Sequence, residues 1–176
     1  MYPWTHAAFG YALVVGLALV LRHRVSRAEL AAVLVATQLP DLVDKPLAWW
    51  VGAIPSGRSL AHSLVLAVPL SALVLAVAWH RAHPEVGVAF WVGYASHLLG
   101  DTYVALYYWR VEEFTFLLWP FLPAYPYDTA IGLGELLRAV EGSPNALGHL
   151  ALAAVGGLVV LAHVWRAPTW RPPRPD

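Results

Sequence analysis

The sequence predicts an all-α membrane protein: a polytopic bundle of about five transmembrane helices with one short amphipathic helix. Of its 176 residues, 59% are apolar, only 12% are charged, and nine are tryptophan. Soluble domains usually carry about 25% charged residues, so this chain has too little charge to cover a soluble globule of its size. Its 11 basic and 11 acidic residues balance. No basic excess is left for binding nucleic acid.

Four segments are long and apolar enough to span a bilayer, which takes about 20 residues in a helix. They are Met1–Leu21, Ser59–His80, Val86–Tyr108 and Gly142–Trp165. A fifth segment, Ala28–Leu42, is shorter, and we expect its helix to break at Leu39-Pro40-Asp41. It either crosses the membrane as a short helix or packs as a re-entrant one. The first segment has no basic residues before it, so we interpret it as a retained helix and not a signal peptide.

The basic residues favour a crossing by Ala28–Leu42. With five spans, seven arginines share one side of the membrane: Arg22, Arg24, Arg27, Arg81, Arg166, Arg171 and Arg174. The other side then has four basic residues: Lys45, Arg58, Arg110 and Arg138. The positive-inside rule therefore predicts a multi-pass protein of the cell membrane, with its amino terminus outside and its carboxyl terminus in the cytoplasm.

We expect one transmembrane domain over residues 1–166 and a disordered tail, rich in proline and arginine, over residues 167–176. Between the last two spans, Thr129–Val140 has the apolar spacing of a short amphipathic helix. The segment before it, Phe114–Tyr127, contains too many prolines for a spanning helix.

Polar groups within the predicted spans are the candidates for function, because ionisable side chains are costly in a bilayer. The predicted topology places them all towards the outer face: His6, Asp41, Asp44, Arg58, His62, His97, Asp101 and His149. His97 and Asp101 are four residues apart, so one helix face presents both to a single metal ion. Imidazoles and carboxylates without thiolates suit Zn²⁺, Mn²⁺ or Fe²⁺ better than Ca²⁺ or Cu⁺.

Each of these residues also has a structural explanation when taken alone. His6 could be a hydrogen-bonded core residue, Asp41 and Asp44 could cap a helix or meet Lys45, and His149 could link two helices. As a set they are harder to explain in this way, because unpaired polar groups at one depth of a membrane would be very costly. The set therefore predicts a metal site or a buried polar network.

Four elements of the sequence, in their order, resemble the membrane-bound, LexA-regulated metal-dependent hydrolases. The elements are Leu39-Pro40-Asp41 with Asp44, Arg58 with His62-Ser63, Ser96-His97 with Asp101, and Leu117-Leu118 with Pro120-Phe121. Together with His6 they cover roughly residues 6 to 121. That family is in turn similar to the zinc-dependent phospholipase C and single-strand nuclease superfamily. The resemblance implies one or two ions, zinc above all, with these ligands: His6, Asp41, His62, His97 and Asp101.

The leading hypothesis is a metal-dependent hydrolase that acts on a phosphoester at the extracytoplasmic membrane surface, on a lipid or a lipid-linked small molecule. In it, Asp44 is the general base, or Asp41 if Asp41 is not a ligand, and Arg58 neutralises the phosphoryl group. The main alternative is a non-enzymatic protein that uses the His/Asp cluster to transport or sense divalent cations or protons. A haem protein with His62 and His97 as axial ligands and a scaffold protein without chemistry are further alternatives.

Overall fold

The computed structural model describes residues 2–125 together with residues 154, 156–158, 160 and 161. Four α-helices form most of this part: α1 (Pro3–Val20), α2 (Arg27–Pro46), α3 (Leu64–His80) and α4 (Pro84–Tyr107). A π-helical turn, Leu47–Val51, extends α2, and a 3-10 helix, Val111–Leu118, follows α4. The described residues contain no strand, which confirms the all-α prediction for this part of the chain.

One described helix, α1, is both long and apolar enough to cross a membrane by length and composition, while α3 is apolar but has 17 residues. The count of five spans and the orientation of the termini therefore stay predictions. Several predicted features lie wholly or largely outside the described residues: the span Gly142–Trp165, the amphipathic helix Thr129–Val140, the tail 167–176 and His149.

The predicted break of the second helix at Pro40 is wrong, because α2 continues through Pro40 to Pro46. A proline in a helix lacks one hydrogen-bond donor and crowds the preceding turn. Pro40 is fully buried, and the burial of its ring is a favourable contribution that opposes this cost. The third helix also differs from its prediction, because α3 begins at Leu64 with Ser63 as its N-cap. His62 therefore lies with Arg58 in the loop before α3, although the predicted span Ser59–His80 placed His62 in the helix.

Helices α2 and α4 form the centre of the bundle, and small residues let them approach closely. Gly93 of α4 faces α2, where an added Cβ would lie 2.9 Å from the Val33 carbonyl oxygen and 3.0 Å from the Ala36 Cβ. Below this contact an apolar core joins α1, α2 and α4 through seven buried residues: Tyr11, Val14, Ala18, Val25, Leu30, Val33 and Ala89. The start of α1, the end of α2 and the second half of α4 meet at one end of this core.

Gly10 lies where α1 packs closely against α2 and α4. A Cβ at this position would overlap the Thr37 Cγ2 and lie 2.8 Å from the Ser96 Oγ. We expect Gly10→Ala to destabilise the protein by about 1–3 kcal/mol, as overpacking in a dense core does. Thermal unfolding of the detergent-solubilised protein measures this loss. Gly16→Ala on the same helix is the control, because no other described residue lies within 4 Å of a Cβ at this position. Equal effects of the two substitutions would contradict the close packing at Gly10.

Candidate metal centre

Three parts of the chain bring four metal-binding side chains together at one end of the bundle. Asp41 comes from α2, His62 from the loop before α3, and His97 and Asp101 from α4. One potential ligand atom from each residue lies within 4.8 Å of all the others. Both imidazoles are fully buried. The structure therefore brings together four of the five predicted ligands as a single cluster.

Hydrogen bonds orient both imidazoles of this cluster. The Nδ1–H of His62 donates to the Asp44 carboxylate at 2.8 Å, and the Nδ1–H of His97 donates to the Thr37 carbonyl oxygen at 2.7 Å. Because both partners are acceptors, each Nδ1 carries a hydrogen, and the neutral ring keeps its lone pair on Nε2. The two Nε2 atoms lie 3.1 Å apart. With both rings neutral, the two Nε2 lone pairs face each other in a buried space, and a proton on either ring would make this contact a hydrogen bond.

Two carboxylate oxygens complete the cluster. The Oδ1 of Asp41 lies 3.5 Å from the His62 Nε2 and 3.9 Å from the His97 Nε2. The Oδ2 of Asp101 lies 3.4 Å and 3.8 Å from the same two atoms. Ligands of tetrahedral zinc, with bonds of about 2.0–2.1 Å, are about 3.3 Å apart. The donor types and their spacing therefore fit one divalent ion such as Zn²⁺.

His6 lies beside the cluster and contacts it from α1. Its ring stacks on that of His97 with 3.9 Å between centroids. Its Nε2 is 3.2 Å from the Asp101 Oδ1, the carboxylate oxygen that is not in the cluster. Neither ring nitrogen makes a hydrogen bond with the described residues, although His6 is only 1% exposed. The role of His6 as a metal ligand stays a prediction.

Asp44 lies behind His62 and is fully buried. Besides the imidazole, its carboxylate accepts hydrogen bonds from three backbone N–H groups, those of Ser59, Ala61 and His62, at 2.9, 2.8 and 3.1 Å. Four donors thus engage its two oxygens. This environment favours a positioning role for Asp44 over the general-base role that the sequence suggested.

Two cations flank the cluster on its partly exposed side. The Arg58 Nε lies 3.0 Å from the Asp101 Oδ2, and the Lys45 Nζ lies 2.6 Å from the Asp41 Oδ2. Their side chains are 24% and 31% exposed. The sequence suggested Lys45 only as a structural partner of Asp41 or Asp44, and the structure shows the contact with Asp41, four residues earlier on α2.

Residues around the cluster fix the loop and helix ends that surround it, and their role was not expected from the sequence. The Tyr94 hydroxyl donates to the Ala61 carbonyl oxygen at 2.6 Å. The Ser63 hydroxyl donates to the Trp119 carbonyl oxygen at 2.6 Å and accepts from the Val65 N–H. The contact of Ser63 with Trp119 joins the end of the 3-10 helix to the start of α3. The buried Phe116 ring lies edge-on to the His62 ring, with 6.3 Å between the ring centroids. The contacts of Tyr94 with Ala61 and of Ser63 with Trp119 join residues 33 and 56 positions apart, and they leave no local pattern in the sequence.

The fold and the site together define an all-helical protein with a cluster at one helix end that could hold a metal ion. The profile of the YdjM inner membrane protein family matches residues 1–169, so the chain belongs to this family. The family confirms the prediction of a membrane protein. Comparisons with curated proteins and with solved structures give no match.

Proposed function

We propose that the chain is a membrane hydrolase that uses a divalent metal ion at Asp41, His62, His97 and Asp101. One observation carries the proposal: two imidazole Nε2 atoms face each other at 3.1 Å, with two carboxylate oxygens beside them. Four electron-rich atoms in a buried space repel one another without a cation between them. A proton on the His62 Nε2, which lies 3.1–3.5 Å from the other three atoms, would relieve part of this repulsion, whereas a metal ion would bind all four. Zinc suits this donor set best, and manganese and iron are the alternatives.

The residues around the ion have separate roles in this proposal. The ion supplies Lewis acidity and lowers the pKa of water towards about 7. Asp44 holds the His62 ring in place through Nδ1, as acceptors behind metal-binding histidines commonly do. The Asp41 Oδ1 is the oxygen that contacts the histidines, while Oδ2 contacts the Lys45 Nζ at 2.6 Å. We assign this second oxygen the role of accepting a proton from the attacking water.

A phosphoester is the substrate class that the charges favour. Arg58 and Lys45 place two cations beside the ion on the partly exposed side, where they can neutralise phosphoryl oxygens. The site lies at the end of the helices in a membrane protein, so we propose a lipid or lipid-linked substrate at the extracytoplasmic surface. The resemblance to the LexA-regulated hydrolases, and through them to the zinc-dependent phospholipases C, supports the same chemistry.

The core below the site favours this proposal over transport through the bundle. The buried residues that join α1, α2 and α4 there are apolar, from Tyr11 and Val14 to Val33 and Ala89. A relay of protons or cations needs polar groups along its whole path. The seven buried residues of this core include no histidine and no acid, and the hydroxyl of Tyr11 is their one polar side-chain group.

Metal removal tests the proposed function. The purified protein in detergent is assayed for bound metal and for hydrolysis of p-nitrophenyl phosphate and of phosphatidic acid in mixed micelles. We expect about one or more equivalents of metal, loss of activity after chelation, and recovery on adding back Zn²⁺, Mn²⁺ or Fe²⁺. His80→Ala is the control, since this exposed histidine ends α3 away from the cluster. Undiminished hydrolysis by the chelated protein, or no hydrolysis by the metal-loaded protein, would contradict the proposal.

A further inference from the structure

Arg58 and the candidate metal site use the same carboxylate oxygen. The Arg58 Nε lies 3.0 Å from the Asp101 Oδ2. This oxygen is also the one that faces the Nε2 atoms of His62 and His97, at 3.4 and 3.8 Å. The other oxygen, Oδ1, faces His6. The guanidinium group therefore stabilises the carboxylate oxygen through which a metal ion would bind.

A metal ion and the guanidinium group repel each other at this oxygen. An ion bound through Oδ2 with a bond of about 2 Å lies no more than about 5 Å from the Arg58 Nε. At such a distance in a largely buried site, the repulsion between like charges is strong and poorly screened. A bound metal ion therefore weakens the contact between Arg58 and Asp101. An anion that touches both cations relieves this repulsion.

Lys45 gives an internal comparison because it does not compete in this way. Its Nζ contacts the Asp41 Oδ2, while the Asp41 Oδ1 faces the histidines. Its stem packs beside Gly57, where an added Cβ would lie 3.4 Å from the Lys45 Cγ. Lys45 thus packs against the loop that contains Arg58, and it contacts the Asp41 Oδ2, not the oxygen that faces the histidines. Of the two cations, Arg58 is the one whose partner would change on metal binding.

We propose that Arg58 couples metal binding to anion binding. Without a metal ion the guanidinium neutralises Asp101, and with one it turns to a phosphoryl oxygen of the substrate. This inference rests on the proposed function and concerns the order of binding at that site. The phosphoryl group binds tightly only after the metal ion. The phosphoryl group can belong to free phosphate or to a lipid headgroup.

Zinc titrations with and without inorganic phosphate test this coupling in the full-length protein in detergent. In the wild type we expect phosphate to tighten zinc binding, and zinc to tighten phosphate binding by the same factor, because such coupling is reciprocal. Arg58→Gln is expected to bind zinc about tenfold more tightly than the wild type when phosphate is absent, since the competing cation is gone. In the same variant, the factor by which phosphate tightens zinc binding is expected to fall about tenfold, as the loss of one charge-assisted hydrogen bond predicts.

Three further variants make the test specific. Arg58→Lys keeps the charge without the planar fork, so it should bind zinc as weakly as the wild type and show reduced coupling. This variant also keeps the test informative if Arg58→Gln does not fold. Lys45→Gln should change zinc affinity less than Arg58→Gln does, because Lys45 uses the other oxygen of its aspartate. Arg24→Gln, an exposed arginine in the loop between α1 and α2, should change neither constant.

The same titrations in phosphatidylcholine vesicles, with and without about 10% phosphatidic acid, identify the source of the phosphoryl group. Coupling with inorganic phosphate in detergent points to a free phosphoryl group, and coupling only with phosphatidic acid points to a lipid headgroup. Coupling with neither probe would overturn the inference, as would zinc binding by Arg58→Gln that is no tighter than in the wild type. If the wild type bound none of zinc, manganese and iron, that result would instead refute the proposed function itself.

Discussion

Asp101→Asn is expected to remove the bound metal ion and to reduce hydrolysis to background. Asp101 contacts four groups at once: His6, Arg58, His62 and His97. Asparagine keeps the shape of the side chain but loses the negative charge, and its amide nitrogen cannot bind a metal ion. Loss of a group that hydrogen-bonds to a metal ligand lowers metal affinity about 10–100-fold, so loss of a ligand itself should lower it about 100-fold or more. Metal content after gel filtration measures the effect.

Glu85→Gln is the matched control for Asp101→Asn. Glu85 also lies on α4, but in its first turn, where it contacts His83 at the opposite end of the helix from Asp101. We expect this variant to keep its metal and its activity. If Asp101→Asn retained a full equivalent of metal after gel filtration, Asp101 could not be a ligand, and the cluster would need another explanation.

Asp44→Asn is expected to destabilise the protein by about 3–5 kcal/mol, because the change disrupts a buried charged hydrogen-bond network. The Asp44 carboxylate accepts from three backbone N–H groups and from the His62 ring, whereas an amide has only one acceptor oxygen. Its NH₂ group would face donors. The thermal unfolding midpoint should fall, and zinc affinity should fall with it because His62 loses its orientation.

These measurements separate a positioning role of Asp44 from the general-base role. A general base alone would leave stability and metal content unchanged and would affect only the rate. Glu112→Gln, an exposed acidic residue of the 3-10 helix, controls for the loss of one negative charge. Normal stability and metal content in Asp44→Asn, with activity lost, would restore the general-base interpretation.

The sequence predicted the members of the cluster better than it predicted the geometry around them. His97 and Asp101 lie four residues apart on a helix, and this local spacing survives folding in any bundle. The partners of Asp44 could not be predicted, since they lie 15 to 18 residues further along the chain. The loop that contains Arg58 and His62 was mistaken for helix, because an apolar sequence alone does not reveal where a helix begins. The continuous α2 was missed because the burial of Pro40 is a tertiary effect.

The hydrogen bonds of Asp44 have a consequence for the order in which the protein assembles. The backbone of residues 59–62 wraps around a carboxylate that belongs to the end of α2. That carboxylate is in place only once α2 is complete, and the loop cannot take its bound shape before then. His62 therefore takes its place in the cluster together with a contact between distant parts of the chain. If the proposed site binds a metal ion, a partly folded chain lacks the complete set of its ligands.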